Sequence, residues 1–232
     1  SYRVPGCFRY ALFSDHNLTL QGTQWVDPNT AEGGAGVYTN GHFLYDSWQS
    51  TIQGPIRATG TITDLAETPS GSWPKTEYCS REIMPEIDLA RYNGIANVRY
   101  GSGGTVNLSS GLSSPSWSPS DPWIVYVNGT AQLAGALEGV GILVASKGFT
   151  ITGNVTYGTW GSRWALVTPG TLEVTGQDPC IYSLIYCHDT GGGASFNSEG
   201  HVTVFGGVIA DALNLGTNFT IHWDDAPAAL CD

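Results

Sequence analysis

Residues 149–153 read FTITG, 172–176 read LEVTG, 202–206 read VTVFG and 18–22 read LTLQG. Each is an apolar/polar alternation that stops on glycine. Successive strand residues point to opposite faces, so such a run marks a half-buried β-strand. Longer stretches repeat the phrase: VYTNGHFLYDSWQSTIQG at 37–54, WIVYVNGTAQLAG at 123–135, GILVASKGFTITG at 141–153, WALVTPGTLEVTG at 164–176 and GVIADALNLGTNFTIHW at 207–223. Each joins two short strands through a small or polar bend. The closing glycines 135, 153, 176 and 206 lie 18, 23 and 30 residues apart. A repeat near coil length, with insertions, is the mark of a solenoid. The pattern therefore predicts an all-β chain folded as a parallel β-helix. Its inward positions are apolar at alternate residues, and its bends use glycine because glycine has no Cβ to clash. A β-sandwich is the alternative, since it also has short alternating strands.

Two stretches leave the pattern. Residues 64–92 carry more charge and three prolines, and the spacing around Glu86–Tyr92 suggests a short helix. Residues 101–122 are rich in Ser, Gly and Pro, with a short strand expected at Thr105–Leu108. The expectation is one solenoid domain over 1–232, with irregular insertions at about 64–92 and 109–122.

Composition narrows the setting. Charged residues are 12% of 232, and 20 carboxylates face 9 basic groups. That balance excludes an electrostatic nucleic-acid binder. No apolar run is long enough to span a membrane. The SYRVPG start reads as a mature or trimmed N-terminus without a signal peptide. Five Asn-x-Ser/Thr sequons, at Asn17, Asn107, Asn128, Asn154 and Asn218, are glycosylation candidates. Five cysteines, Cys7, Cys79, Cys180, Cys187 and Cys231, lack paired CxxC spacing, so they are disulfide candidates rather than metal ligands. Together these point to an extracellular or cell-surface protein.

Catalytic equipment is sparse. Asp224-Asp225 lacks a companion GHG motif, and no acidic cluster accompanies Arg163 in sequence. Cys187, His188 and Asp189 are adjacent, but neighbouring strand residues point to opposite faces, so Cys187 and His188 make a poor nucleophile and base. No catalytic residue, metal or cofactor is assigned, and the chain is expected not to be an enzyme. Trp48, Trp73, Trp117, Trp123, Trp160, Trp164 and Trp223 fall in or beside loops, where they suit subunit contacts or stacking on sugar rings.

Several phrases resemble a known family. GILVASKGFTITGN at 141–154, LIYCHDTGGGASFNSEGHVTVFGGVIADALNLGTNFTIHWDD at 184–225, YALFSDHNLTLQG at 10–22, YTNGHFLYD at 38–46 and MPEIDLARY at 84–92 are similar to rungs of the β-helical ectodomains of PilX-type minor-pilin-like exported surface proteins. In style the chain also resembles the disulfide-linked sheath proteins of filamentous archaea. The hydrophobic pilin helix has no counterpart in it. These likenesses, with the odd cysteine count, give the functional expectation. It is a secreted structural subunit that polymerises with itself into a filament, tube or sheath, locked between copies by disulfides at Cys7 and Cys231. The alternatives are an adhesin domain that binds surface glycans and a polysaccharide-degrading β-helix enzyme.

Overall fold

A computed structural model describes residues 6–27, 36–46, 51–65, 74–101, 103–159, 161–176 and 178–223. The strand pairs among these residues are parallel. That is the parallel β-helix the alternation predicts. The antiparallel sandwich is excluded. Each coil has three faces. Strands such as Thr130–Glu138 and Gly148–Tyr157 bend from the second face to the third, while Cys180–Cys187 and His201–Ala210 continue from the third face onto the next coil's first.

The order of coils departs from the order of the chain. Coils stack upward from residues 98–113 to residues 207–222. The next coil is the N-terminal one. Leu12–Ser14 pairs with Val208–Ala210, and Thr23–Asp27 pairs with Asn218–His222. Three further N-terminal levels follow on the first face, with Val37–Thr39, Ile56–Ala58 and Lys75–Thr76. The chain therefore builds the top of the stack first, crosses to the bottom through residues 77–97, and climbs back to meet its own start. The crossing carries the helix Leu89–Ile95, three residues later than the Glu86 start expected from spacing. Asp88 caps it by accepting from the Arg91 amide at 2.8 Å. The strand expected at Thr105–Leu108 is present.

Inside, like sits on like. On the first face Val125, Leu143, Leu166, Ile185, Val208, Leu12, Val37 and Ile56 form one buried column that runs unbroken across the junction of the two chain ends. The neighbouring column is made of small residues, Ala145, Cys187, Ala210 and Ala58 among them, because it lines a corner. The first face is apolar outward too. Tyr126, Val144, Val167, Tyr186, Ile209, Phe13 and Tyr38 point away from the core, and Phe8, Tyr10, Met84 and Ala96 pack over them. Phe13 and Tyr38 stack at 5.3 Å, and the Tyr38 hydroxyl donates to the Ser80 carbonyl at 2.5 Å.

The closing glycines serve two purposes. Gly22, Gly135 and Gly206 have φ of +83°, +83° and +144°, which L residues avoid. Gly153 and Gly176 have no such φ. A Cβ on Gly176 would lie 3.0 Å from the Thr152 backbone, so that position is held by close approach of the coil below.

Truncating Leu12 tests the junction. Leu12→Ala should cost about 2–5 kcal/mol, as for a fully buried leucine, whereas Leu65→Ala, at 59% exposure, should stay within about 0.5 kcal/mol. Urea denaturation reads both.

Candidate functional site

The three faces differ in what they present outward. The first is covered. The third carries a ladder of rings, with Tyr157 on Tyr182 at 4.2 Å, Tyr182 on Phe205 at 4.3 Å and Phe205 on His222 at 4.8 Å. His222 Nδ1 and Asp27 Oδ2 stand 3.4 Å apart at its edge, as do His201 Nδ1 and Asp178 Oδ1. Trp25 projects from the same face at 45% exposure.

The second face is different. In the large sheet it has six rungs in register, at 105–108, 130–133, 148–151, 171–174, 195–198 and 212–214. Phe149, Leu172, Phe196 and Leu213 point inward and are buried. Two columns point outward. One reads Thr105, Thr130, Gly148, Thr171, Ser195, Ala212, and the other reads Asn107, Gln132, Thr150, Glu173, Asn197, Asn214. Apart from Gly148, all of these are exposed or half-buried, so no described segment packs over them. Rungs also bond laterally. The hydroxyls of Thr171 and Ser195 are 3.1 Å apart, and Asn214 Nδ2 donates to Asn197 Oδ1 at 2.7 Å.

Corner glycines fix these rungs. A Cβ on Gly129 would sit 1.9 Å from the Gly104 carbonyl oxygen, and one on Gly170 would sit 1.9 Å from that of Lys147. The outcome in sequence is a phrase, GTVNL at 104–108, GTAQL at 129–133 and GTLEV at 170–174. That Gly-Thr phrase was the available signal for the face. Closing glycines mark where strands end, whereas this phrase marks where they begin.

The corner between the first and second faces holds a polar cluster the sequence did not announce. Asp211 is fully buried. Its carboxylate lies 2.6 Å from His188 Nδ1 and accepts from the amides of Asp189 at 2.9 Å and Ala194 at 3.2 Å. Its carbonyl accepts from the His16 amide at 3.0 Å and the Ser14 hydroxyl at 3.2 Å. Asp211 thus ties the N-terminal coil to the two coils beneath it. The hydrogen bond to Asp211 raises the His188 pKa above its ordinary value, against the opposing effect of burial, and the Asp211, Asp15 and Asp189 charges add to it.

Each cysteine has its place. Cys7 and Cys187 are completely buried, and Cys79 and Cys180 are partly exposed. Burial, with the nearby Asp211 charge, holds the Cys187 thiol well above its usual pKa. No disulfide joins any two of Cys79, Cys180 and Cys187, and Cys231 lies outside the described residues. Cys187 faces the core while His188 pairs with Asp211, so they do not form a nucleophile and base. Asn17, Asn107, Asn128, Asn154 and Asn218 are all exposed, with Asn107 on the second face and Asn218 on the third. Trp164 and Trp223 are buried, Trp123 packs edge-on against Trp164 at 6.2 Å, and Trp117 is exposed. Trp48, Trp73, Trp160 and the Asp224-Asp225 pair lie outside the described residues. Among the described residues no group of three or more His, Cys, Asp or Glu is placed to hold a metal ion, and no helix is long and apolar enough to cross a membrane.

No protein-family model matches the chain, and no curated protein matches it either. Two solved structures match the chain. One is an ice-binding protein from the Antarctic ascomycete Antarctomyces psychrotrophicus, at 12% identity and TM-score 0.45, over 94% of this chain and 96% of that one. The other is an ice-binding protein from an Antarctic biological consortium, at 12% identity and TM-score 0.33, over 95% and 93%.

The expected filament or sheath subunit is corrected by the coil order. A head-to-tail lattice locked through Cys7 and Cys231 needs the chain ends at opposite poles. The N-terminal coil instead stacks on the coil of residues 207–222, inside the column, and Cys7 is sealed from solvent. For the glycan-binding adhesin, Trp164 and Trp223 serve the core and Trp123 packs on Trp164, so of the tryptophans expected at loops only Trp117 is exposed among the described residues. For the polysaccharide-degrading enzyme, Arg163 stands at the start of the strand Arg163–Thr168 with no ion pair to it among the described residues.

The His188–Asp211 pair carries a pH signature. Because the folded pKa of His188 is raised, its stabilisation is complete below the unfolded value of about 6.5 and is lost as pH climbs through the folded value. Melting temperature should fall over that interval, and His188→Gln should flatten the fall. Alkylation of the folded chain should label Cys180 and leave Cys187 untouched until denaturant is added.

Proposed function

We propose that this protein binds ice through its second face. The observation that carries the reading is the pair of in-register outward columns across six rungs, built from short hydroxyl and amide side chains with a single charge. Rungs of a β-helix repeat about every 4.8 Å along the axis, and alternate residues lie about 6.7 Å apart along each strand. The face is therefore a two-dimensional grid of hydrogen-bonding groups. A grid suits a ligand that is itself a grid. Soluble macromolecular partners are met by aromatic and arginine anchors set in pockets, and the six rungs carry neither in their outward columns. Crystalline water offers repeating donors and acceptors on the same length scale, without charge. The backbone ladder holds the grid rigid, so little conformational entropy is lost on adsorption.

Ice is also the ligand of the two matched proteins, but the reading rests on the face itself. Adsorption needs no catalytic group, in keeping with a non-enzymatic protein. An extracellular or cell-surface setting belongs to the same reading, supported by five exposed sequons.

Thermal hysteresis and partition into a growing ice front test it. The parent chain should enter the ice and depress its growth temperature. Thr150→Arg combined with Thr171→Arg places two bulky charges mid-face and should cut hysteresis by about tenfold or more, as for disruption at the centre of a complementary interface. Ile95→Arg, on the exposed side of the crossing helix, should leave it unchanged. A parent chain excluded from ice, or a double variant as active as the parent with an unaltered melt, would falsify the proposal.

A further inference from the structure

We infer that Glu173 is the residue that limits how strongly the second face adsorbs to ice, a statement that rests on the reading above. Glu173 is the one charged side chain in the two outward columns. It stands fourth of six in its column, between Thr150 below and Asn197 above, with Thr171 two residues away on the same strand. It is exposed, and no Lys or Arg pairs with it among the described residues. Lys147, at the corner that opens the rung below Glu173, is engaged with the Gly103 carbonyl at 2.7 Å.

The physical consequence follows from hydration. Hydroxyls and amides exchange one neutral water partner for another when a crystal of water replaces the liquid. A carboxylate keeps a shell of waters oriented by its charge, and that shell does not fit a neutral lattice. Laying Glu173 against ice requires its shell to be reorganised with no cation to compensate. The charge thereby divides the face. Below it lie three uncharged rungs, at 105–108, 130–133 and 148–151, and above it lie two, at 195–198 and 212–214. Neutralising the position joins them into one field.

Glu173→Gln keeps the length and shape of the side chain and removes the charge. Glu173→Thr extends the hydroxyl of Thr150 by one rung. Both should raise thermal hysteresis by about twofold or more at equal concentration, while Glu173→Lys, which keeps a charge, should give no rise. Because the side chain is exposed, all three should melt with the parent, which separates an effect on the face from an effect on folding. The Thr150→Arg, Thr171→Arg double variant runs alongside. If it loses activity while both neutral variants stay at or below the parent level, the role of Glu173 is overturned and the face assignment stands. If the double variant is as active as the parent, the face assignment fails and the role of Glu173 falls with it.

Discussion

Register between parallel coils is the constraint on which the rest depends. Side chains alternate with a period of two, so a slip of one residue in any rung would turn its core column outward and its surface column inward. The junction between the chain's two ends is where that constraint is hardest to meet, because no covalent continuity enforces it. Val208 lies on Leu12 and Ile221 on Val26, with inward residue on inward residue, and the apolar column passes through as if the chain were unbroken. Asp211 secures the same level from the corner, its carboxylate serving the coil below and its carbonyl serving the coil above. The fold is thus closed by matching surfaces, and the crossing segment only has to be long enough to return the chain to the bottom.

That crossing segment does a second job, and the job decides which face is free. The first face is apolar on both sides, so leaving it open would expose a long ridge of Tyr, Val and Ile. Met84, Ala96, Ile87, Leu89 and Tyr92 travel over it with the N-terminal Phe8 and Tyr10, and the Tyr186 hydroxyl donates to the Pro85 carbonyl to hold the strap in place. The second face needs no such cover, because its outward side chains are polar and hydrated in the free protein. Across its six rungs in the large sheet it runs on in register, and that regularity is what distinguishes it.

The sequence made the architecture legible where local physics dictates it. The alternation in FTITG and VTVFG reported strands with one buried side, and the coil-length return of the phrase separated a solenoid from a sandwich. Thr105–Leu108 was visible inside a Gly- and Ser-rich loop for the same reason. What was not legible is long-range. Nothing in YALFSDHNLTLQG says that it stacks on GVIADALNLGTNFTIHW, because every rung offers its neighbour the same backbone edge and nearly the same apolar column. The expectation of poles at the two chain ends followed from assuming that coil order is chain order, and the covalent filament came with it. The pairing of His188 with Asp211 was hidden likewise, since 23 residues separate two groups that one turn of the helix brings together. The Gly-Thr phrase at three rungs did announce an exposed hydroxyl column, and it became readable once the coils fixed which residues point outward.

The contrast between the second and third faces shows how one scaffold sorts its surfaces. Both are uncovered sheets with the same rung spacing. On the third, ring stacks on ring, and the ladder of Tyr157, Tyr182, Phe205 and His222 raises a ridge bordered by carboxylates at Asp27 and Asp178. Stacking satisfies those rings within the protein and leaves their edges, with charge beside them, to the solvent. A crystal plane laid on that surface would touch only the ridge. On the second face no side chain is longer than Gln132 or Glu173, and the columns stand level because neighbouring rungs bond to each other through Thr171 with Ser195 and Asn214 with Asn197. Flatness there is a consequence of residue size and register, and it lets many weak contacts form at once against a surface that is also flat. A single exposed charge then stands out more than it would on an irregular surface, since the other outward side chains of the array are uncharged.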